Sequence, residues 1–201
     1  MKLKILKEKL ERGLNLAEKI PTKKLSLPIL ENVLLETKEN YFKVVTTNLE
    51  SALLWWSLAK IEKEGKICVP KKLFSDTIAK IQANILDLSQ KENFFLIETE
   101  TLNVKLKTYD PSEFPIIPQP SENLVCEIPA ENLILGIKKV YNFVAQSLSR
   151  PEIAGILISF QGDTIKFVAT DSFRLGEKKL PLGKEIPNPV SFILPQSAAK
   201  E

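Results

Sequence analysis

The sequence predicts an α+β protein made of two copies of one domain, each with two helices packed on antiparallel sheets. Three observations support this prediction. The chain repeats itself at an offset of 123 residues. Many short segments alternate apolar and polar residues, which is typical of half-buried strands. Other segments place apolar residues three and four positions apart, which is typical of amphipathic helices.

The repeat is strongest between residues 28–48 and 151–171, which align without a gap. The same offset holds upstream, and eleven of the 44 positions from 5 to 48 are identical. Ordinary residue frequencies would give about two or three identities. Shared strand patterning is an alternative, but it does not explain the matching glycine, proline and serine positions. An internal duplication is the better account.

The first copy is predicted to start with an edge or half-buried strand over residues 1–6. A helix follows from Lys7 and ends at Pro21, and the duplicated hairpin comes next. A second helix starts after Pro70, with Leu73 on its inner side and Lys71 on its outer side. The adjacent Trp55 and Trp56 must point to opposite faces of a strand. The remaining predicted segments are strands at 51–62, 65–70 and three between 85 and 109.

The second copy is predicted to repeat this order and to stop early. We expect a strand at 124–128, a helix at 129–144, the duplicated strands, and a further strand at 190–194. Prolines concentrate between 111 and 121, so we place the link between domains at about 115–124. The predicted domains are residues 1–120 and 121–201, the second lacking the rest of its second helix and about three strands.

Charge is mild overall but uneven along the chain. The formal net charge is +3, and residues 1–24 carry eight Lys or Arg against three Glu. A local basic surface suits an anionic polymer as partner, although a Lys-rich helix is also typical of a simple solvated face. Cys68 and Cys126 stand singly, and no apolar run reaches the length of a membrane span. These features predict a cytoplasmic protein with no membrane partner.

The usual residues of catalysis are scarce. The sequence contains no histidine, which removes the commonest general base and metal ligand. Its seven glycines form no phosphate-binding loop, and no nucleophile motif is present. We therefore expect a protein that is not an enzyme and uses no metal or cofactor.

Two surfaces remain as candidates for binding. One consists of basic turns at Lys23, Lys24 and Arg150, which the repeat places equivalently and which suit phosphate contacts. The other is the segment 170–175, where Phe173, Arg174 and Leu175 suit a peptide pocket. The residues alone leave open a second interpretation, in which Phe173 and Leu175 are core residues of the next strand.

The chain resembles the bacterial DNA polymerase III β subunit, the sliding-clamp family. The matching segments are SLPILENVLLE, TTNLE, VPKKLF, YDPSEFP, SRPEIAGILISF, FVATDSFRL and ILPQSAAKE, in the family's order over essentially the whole chain. The resemblance implies the DNA clamp fold and a homodimeric ring of six similar domains around double-stranded DNA. It also implies a processivity role without chemistry, because the ring tethers the polymerase by topology.

The resemblance also implies site residues. Candidate DNA-binding residues are Lys24, Lys72, Ser147, Arg150, Pro151 and Glu152. Candidate residues of the pocket for short partner motifs are Ile153, Thr170, Ser172, Phe173, Arg174 and Leu175. Ser147, Pro151 and Glu152 depart from the family pattern, as do Ser172 and Phe173. The expected protein partners are the replicative polymerase, the clamp loader and repair proteins.

A second hypothesis comes from a different functional class. Since the chain as given is too short to close a two-protomer ring, it is either a piece of a longer clamp or a stand-alone adaptor. Such an adaptor would bind protein partners without encircling DNA. The reading frame beyond Glu201 distinguishes the two hypotheses.

Overall fold

A computed structural model describes residues 1–20, 27–118, 126–147 and 149–200. The chain forms two compact units, Met1–Pro118 (unit 1) and Gln119–Glu201 (unit 2). The predicted helix end at Pro21, the candidate Lys24 and part of the predicted link lie outside the described residues.

Among its described residues, unit 1 combines two helices with two antiparallel sheets. Its helices are α1 (Lys7–Glu18) and α2 (Lys71–Lys80). Its strands are β1 (Lys2–Leu6), β2 (Asn32–Lys38), β3 (Tyr41–Thr47), β4 (Ala52–Leu58), β5 (Lys60–Lys63), β6 (Gly65–Pro70), β7 (Ile85–Lys91), β8 (Phe94–Glu98) and β9 (Asn103–Lys107). One sheet has the order β5-β1-β7-β8-β9 and the other β4-β3-β2-β6.

The main core of unit 1 lies between the helices and the inner faces of both sheets. It contains Leu10 and Leu14 of α1 and Phe74 and Ile78 of α2. Trp55 packs against this core and Trp56 is exposed, so the prediction of opposite faces is confirmed.

Two strand predictions need correction. β1 is half-buried as expected, but it lies between β5 and β7 and is not an edge strand. The predicted strand over 51–62 is interrupted after Leu58, because β4 and β5 belong to different sheets.

The two helices of unit 1 are antiparallel, and at each end of the pair a lysine side chain donates a hydrogen bond from one helix to the other helix or to the residues just after it. Lys7 Nζ donates to the Ala79 carbonyl at 3.5 Å, and Lys71 Nζ donates to the Ile20 carbonyl at 2.7 Å. The outward placement predicted for Lys71 is therefore wrong: its side chain is 5% exposed. Leu73, predicted to face inward, is exposed. The helix starts at Lys71, so its first turn points the lysine at the carbonyl end of α1.

The outer face of the four-stranded sheet carries a separate apolar cluster. Leu34, Val45 and Cys68 of β2, β3 and β6 are covered by Phe114 and Ile117 from the segment that leaves the unit. Tyr109, at the start of that segment, forms an isolated antiparallel bridge with Cys68. We call residues 109–117 the exit segment.

Unit 2 contains α3 (Ala130–Val140), two long strands, β10 (Gly155–Thr170) and β11 (Leu175–Pro195), and the short α4 (Gln196–Lys200). The strands pair in two blocks, 155–160 with 190–195 and 164–170 with 175–181. The second block repeats the register of β3 and β4, since Thr47 pairs with Ala52 and Thr170 with Leu175.

Some predicted boundaries in unit 2 are wrong. Residues 126–128 are not a strand, and the predicted helix over 129–144 gives way to a 3-10 turn at Tyr141–Phe143. The predicted strand at 190–194 is part of β11, which is continuous because the segment before it also pairs with β10.

Candidate DNA and partner-peptide surfaces

Four of the six candidate pocket residues, Thr170, Ser172, Phe173 and Arg174, lie on a turn that the chain builds twice. In unit 1 the Thr47 hydroxyl donates to the Ser51 carbonyl at 2.8 Å, and in unit 2 the Thr170 hydroxyl donates to the Arg174 carbonyl at 2.8 Å. The next residue, Asn48 or Asp171, accepts two backbone N–H groups with one side-chain oxygen. We call these five-residue segments, 47–51 and 170–174, the repeated turns.

Both repeated turns place a non-glycine residue in the left-handed region. The φ angles are 71° at Leu49 and 76° at Ser172. Each backbone N–H donates to the threonine hydroxyl two positions earlier, at 3.0 and 3.1 Å. These hydrogen bonds hold a conformation that costs an L-residue free energy. Both turns are therefore closed by the same set of hydrogen bonds.

In unit 2 this turn presents apolar side chains to solvent. Phe173 is 97% exposed and Leu175 is also largely exposed. The interpretation that these two residues belong to the core is therefore wrong. Such exposure of an aromatic ring and a leucine on a fixed loop is typical of a binding surface.

Arg174 lies between them and is held on three sides. Its Nε donates to Asp171 Oδ2 at 2.9 Å, its Nη2 donates to the Asn142 carbonyl at 3.0 Å, and its guanidinium lies 5.4 Å from the centre of the Phe143 ring. The hydrogen bond from Arg174, followed by backbone N–H donors, lowers the pKa of the Asp171 carboxyl. The carboxylate therefore stays ionised and keeps Arg174 in place.

The candidate DNA loop and the pocket turn of unit 2 are in direct contact. Arg150 Nη1 donates to Ser172 Oγ at 3.0 Å. Pro151, Glu152 and Ile153 form the 3-10 turn Pro151–Ile153, and the Ile153 carbonyl accepts from the Ala145 N–H. Ser147 is exposed and its hydroxyl lies 2.8 Å from that of Ser149. The structure thus joins the candidate DNA loop and the pocket turn of unit 2 through the contact between Arg150 and Ser172.

In unit 1 the basic surface is smaller than the residue count predicts. Lys72 is exposed on α2, as expected. Lys2 and Lys4 lie on β1 and form ion pairs with Glu62 and Asp87 at 2.7 and 2.8 Å. The exposed residues of α1 are mixed in charge: Glu8, Lys9, Arg12, Asn15 and Glu18.

Sequence reasoning missed three groups that shape the site. Asp171, Phe143 and the Asn142 carbonyl fix Arg174, but none was a candidate. The repeat offered a signal for Asp171, because its equivalent Asn48 performs the same turn-forming role. No pattern in the sequence pointed to Phe143 or Asn142.

The described parts of the chain contain neither a metal-ligand cluster nor a membrane-spanning helix. Within residues 1–20, 27–118, 126–147 and 149–200, no group of three or more His, Cys, Asp or Glu side chains could hold a metal ion. Among those same residues, no helix is long and apolar enough to span a bilayer.

Comparison with known proteins identifies the family. The family model of the DNA polymerase III beta subunit, N-terminal domain, matches residues 1–118, and that of its central domain matches residues 127–201. The chain belongs to the DNA polymerase III β-subunit family. The resemblance stated from the sequence motifs is thereby confirmed.

Individual members of this β-subunit family are also similar to the chain in sequence. The beta sliding clamp of Helicobacter pylori is 28% identical over 206 residues, covering 100% of this chain and 55% of the relative. That of Staphylococcus epidermidis is 28% identical over 187 residues, covering 88% and 49%. The chain therefore spans about half the length of the curated relatives it matches.

Solved β-subunit structures show the same fold. The H. pylori beta clamp bound to a DNA ligase peptide matches with a TM-score of 0.84 at 26% identity, covering 100% of this chain and 57% of that one. The Bacillus subtilis sliding clamp matches with a TM-score of 0.88 at 20% identity, covering 100% and 55%. The predicted α+β clamp fold is confirmed.

Proposed function

We propose that this chain carries the N-terminal domain (1–120) and an incomplete central domain (121–201) of a DNA sliding clamp. In this proposal the whole protein is a non-catalytic, cytoplasmic processivity factor that encircles double-stranded DNA as a homodimer. The observation that carries the proposal is the match of two successive β-subunit domains, in order, across the chain.

The proposed DNA contacts are weak and independent of sequence. Lys24, Lys72, Ser147, Arg150, Pro151 and Glu152 remain the candidate residues, with Lys72 and Arg150 as the described cations. A small number of candidate cations suits a sliding protein, because each phosphate contact adds affinity that resists movement.

The proposed partner pocket uses Ile153, Thr170, Ser172, Phe173, Arg174 and Leu175. Its support is the exposure of Phe173 and Leu175 beside the anchored Arg174. The H. pylori relative is described with a DNA ligase peptide bound. We propose that short motifs of the replicative polymerase, the clamp loader and repair proteins bind here.

Duplex binding by the 201-residue chain tests the DNA assignment. Anisotropy of a short fluorescent duplex, measured across salt concentrations, should give a shallow salt slope. Lys72→Glu should reduce that slope by about one for the lost phosphate contact. Lys80→Glu on the same helix makes an equal charge change and should reduce it less. Equal slopes for both variants would contradict the role of Lys72.

Peptide binding tests the pocket separately. The DNA ligase peptide of the H. pylori complex should bind the chain, and Leu175→Ala or Arg174→Ala should weaken binding about tenfold or more. Leu49→Ala removes an exposed leucine from the repeated turn of unit 1 and should leave affinity unchanged. Retained affinity in both unit 2 variants would place the pocket elsewhere.

A further inference from the structure

The Phe143 ring occupies a space in unit 2 that two small residues leave open. Gly176 of β11 pairs with Ala169 of β10, and both are buried. A Cβ on Gly176 would lie 2.6 Å from the Phe143 ring, well inside the roughly 3.5–4.0 Å of ordinary carbon contact. The ring therefore packs this close to the strand only because position 176 has no side chain.

The same ring also contacts Arg174. Its centre lies 5.4 Å from the guanidinium carbon, within the range in which a cation is attracted to an aromatic face. Asp171 and the Asn142 carbonyl accept hydrogen bonds from two nitrogens of that guanidinium, Nε and Nη2. The ring is the third contact, and three contacts together determine the orientation of a planar group.

Unit 1 builds the same turn without this arrangement. The offset of 123 residues places a leucine, an isoleucine and a serine where unit 2 has the glycine, the phenylalanine and the arginine. These equivalents are Leu53, Ile20 and Ser51. Leu53 packs against the core of unit 1 with its own side chain. The fold and the turn therefore do not require the pair of glycine and phenylalanine, and the pair occurs in the unit that carries the arginine.

We propose that Phe143 is a positioning residue of the partner pocket and that Gly176 acts through it. The ring holds the Arg174 guanidinium in the orientation from which it donates to a bound peptide, and neither residue needs to touch that peptide. A side chain that is held in place before binding loses less conformational entropy when the complex forms. The inference deepens the proposed function and rests on it.

The first measurement is the affinity of variant chains for the DNA ligase peptide of the H. pylori complex. Phe143→Leu removes the aromatic face and should weaken binding about two- to fivefold, which is the usual worth of a cation–π contact at an exposed site. Phe143→Tyr keeps that face and should bind as the native chain does. Tyr141→Leu removes the other ring of the same 3-10 turn and should leave the affinity unchanged.

A double-mutant cycle tests the role of Gly176. Gly176→Ala should weaken peptide binding at least as much as Phe143→Leu, because the added Cβ displaces the ring. In a chain that already carries Phe143→Leu, the same change should weaken binding less, because the displaced ring is gone. Equal losses in the two backgrounds would show that Gly176 does not act through Phe143. If circular dichroism shows that Gly176→Ala does not fold, the Phe143 variants decide the proposal.

The side-chain Nε–H of Arg174 reports its position directly by nuclear magnetic resonance. The chain has three arginines, Arg12, Arg150 and Arg174, so comparison with Arg174→Lys assigns the signal. The hydrogen bond to Asp171 should slow exchange of this proton with water. We expect faster exchange in Phe143→Leu and native exchange in Phe143→Tyr and Tyr141→Leu.

Native peptide affinity or native Nε–H exchange in Phe143→Leu would overturn the proposal. Weaker binding by Arg174→Ala alone would then keep the pocket and remove the role of Phe143. If the native chain bound no ligase peptide, the proposed pocket itself would fail. Exchange of the Nε–H would in that case still decide whether Phe143 positions Arg174.

Discussion

Arg150 donates a hydrogen bond to the Ser172 hydroxyl at 3.0 Å, and this contact joins two loops of unit 2. Arg150 belongs to the loop proposed to meet DNA, and Ser172 belongs to the turn proposed to meet partner peptides. A guanidinium that satisfies the serine hydroxyl is less free to meet a phosphate. The two proposed activities therefore share one side chain.

The conformation of Ser172 gives a first prediction. Both Ser172→Ala and Ser172→Gly remove the hydroxyl, but only glycine adopts a φ of 76° without steric cost. We expect the free energy of unfolding of Ser172→Gly to exceed that of Ser172→Ala by about 0.5–1 kcal/mol. Urea titration measures the difference, and the pair Leu49→Ala and Leu49→Gly is the matched control in unit 1. Equal urea midpoints for Ser172→Ala and Ser172→Gly would mean that the turn backbone changes conformation to accommodate alanine.

The Asp171 carboxyl gives a prediction of pH dependence. Its pKa is lowered mainly by the hydrogen bond from Arg174, so the folded state favours the ionised form. The resulting stabilisation is present above the ordinary pKa of 3.8 and is lost as pH falls below it. Thermal unfolding between pH 5 and about 2.5 should show a steeper acid loss for the native chain than for Asp171→Asn. Parallel curves would mean that the carboxyl contributes nothing measurable.

The side chain of Lys71 should make the stability of the chain depend on pH in the alkaline range. Burial lowers its pKa below 10.5, with Glu18 partly opposing the shift. The unfolded state then binds more protons between the folded and unfolded pKa values, so the free energy of unfolding rises with pH in that interval. Urea midpoints of the native chain should rise relative to those of Lys71→Met as pH approaches 10.5. A constant difference across alkaline pH would show that the folded lysine keeps its ordinary pKa.

Close helix-to-aromatic contacts give a fourth prediction. A Cβ at Gly136 would collide with the Phe167 ring, and one at Gly13 would lie 2.6 Å from the Trp55 ring. Gly136→Ala should destabilise unit 2 by about 1–3 kcal/mol through overpacking. Hydrogen exchange should show faster exchange in β10 for this variant and in β3 and β4 for Gly13→Ala. Gly162→Ala is the control, because its added Cβ would meet no neighbour. Any destabilisation of this variant reports the loss of a left-handed glycine without overpacking.

The two cysteines give a fifth prediction, which concerns thiol reactivity. Cys68 is fully buried and its pKa is raised by desolvation to about 12. At pH 8 about one thiol in ten thousand would be ionised, so a Cys126→Ser chain should react with a thiol reagent only as unit 1 opens. Rapid labelling of that variant under native conditions would contradict the packing around Cys68. The matched Cys68→Ser chain should label sooner through the half-buried Cys126.

Sequence reasoning predicted the repeat, the helices and most strands because these depend on periodic apolar residues and on proline. It failed at Lys71 and Leu73, where helix rotation is set by contact with α1, and at β5, which changes sheets. It predicted the pocket candidates through family resemblance. It could not predict how Arg174 is held, because Asn142 and Phe143 are 32 and 31 positions away in the chain and meet it only after folding.

The repeated turn separates the part of a loop that folds from the part that meets other molecules. The hydrogen bonds that close this turn are accepted by a threonine hydroxyl, one Asn or Asp oxygen and the backbone, and none of them is accepted by the last three side chains. Unit 1 fills those places with Leu49, Glu50 and Ser51, and unit 2 with Ser172, Phe173 and Arg174. Both units therefore carry the same turn on equivalent strands. Different side chains on the two turns can support different binding preferences while the sheet beneath stays the same.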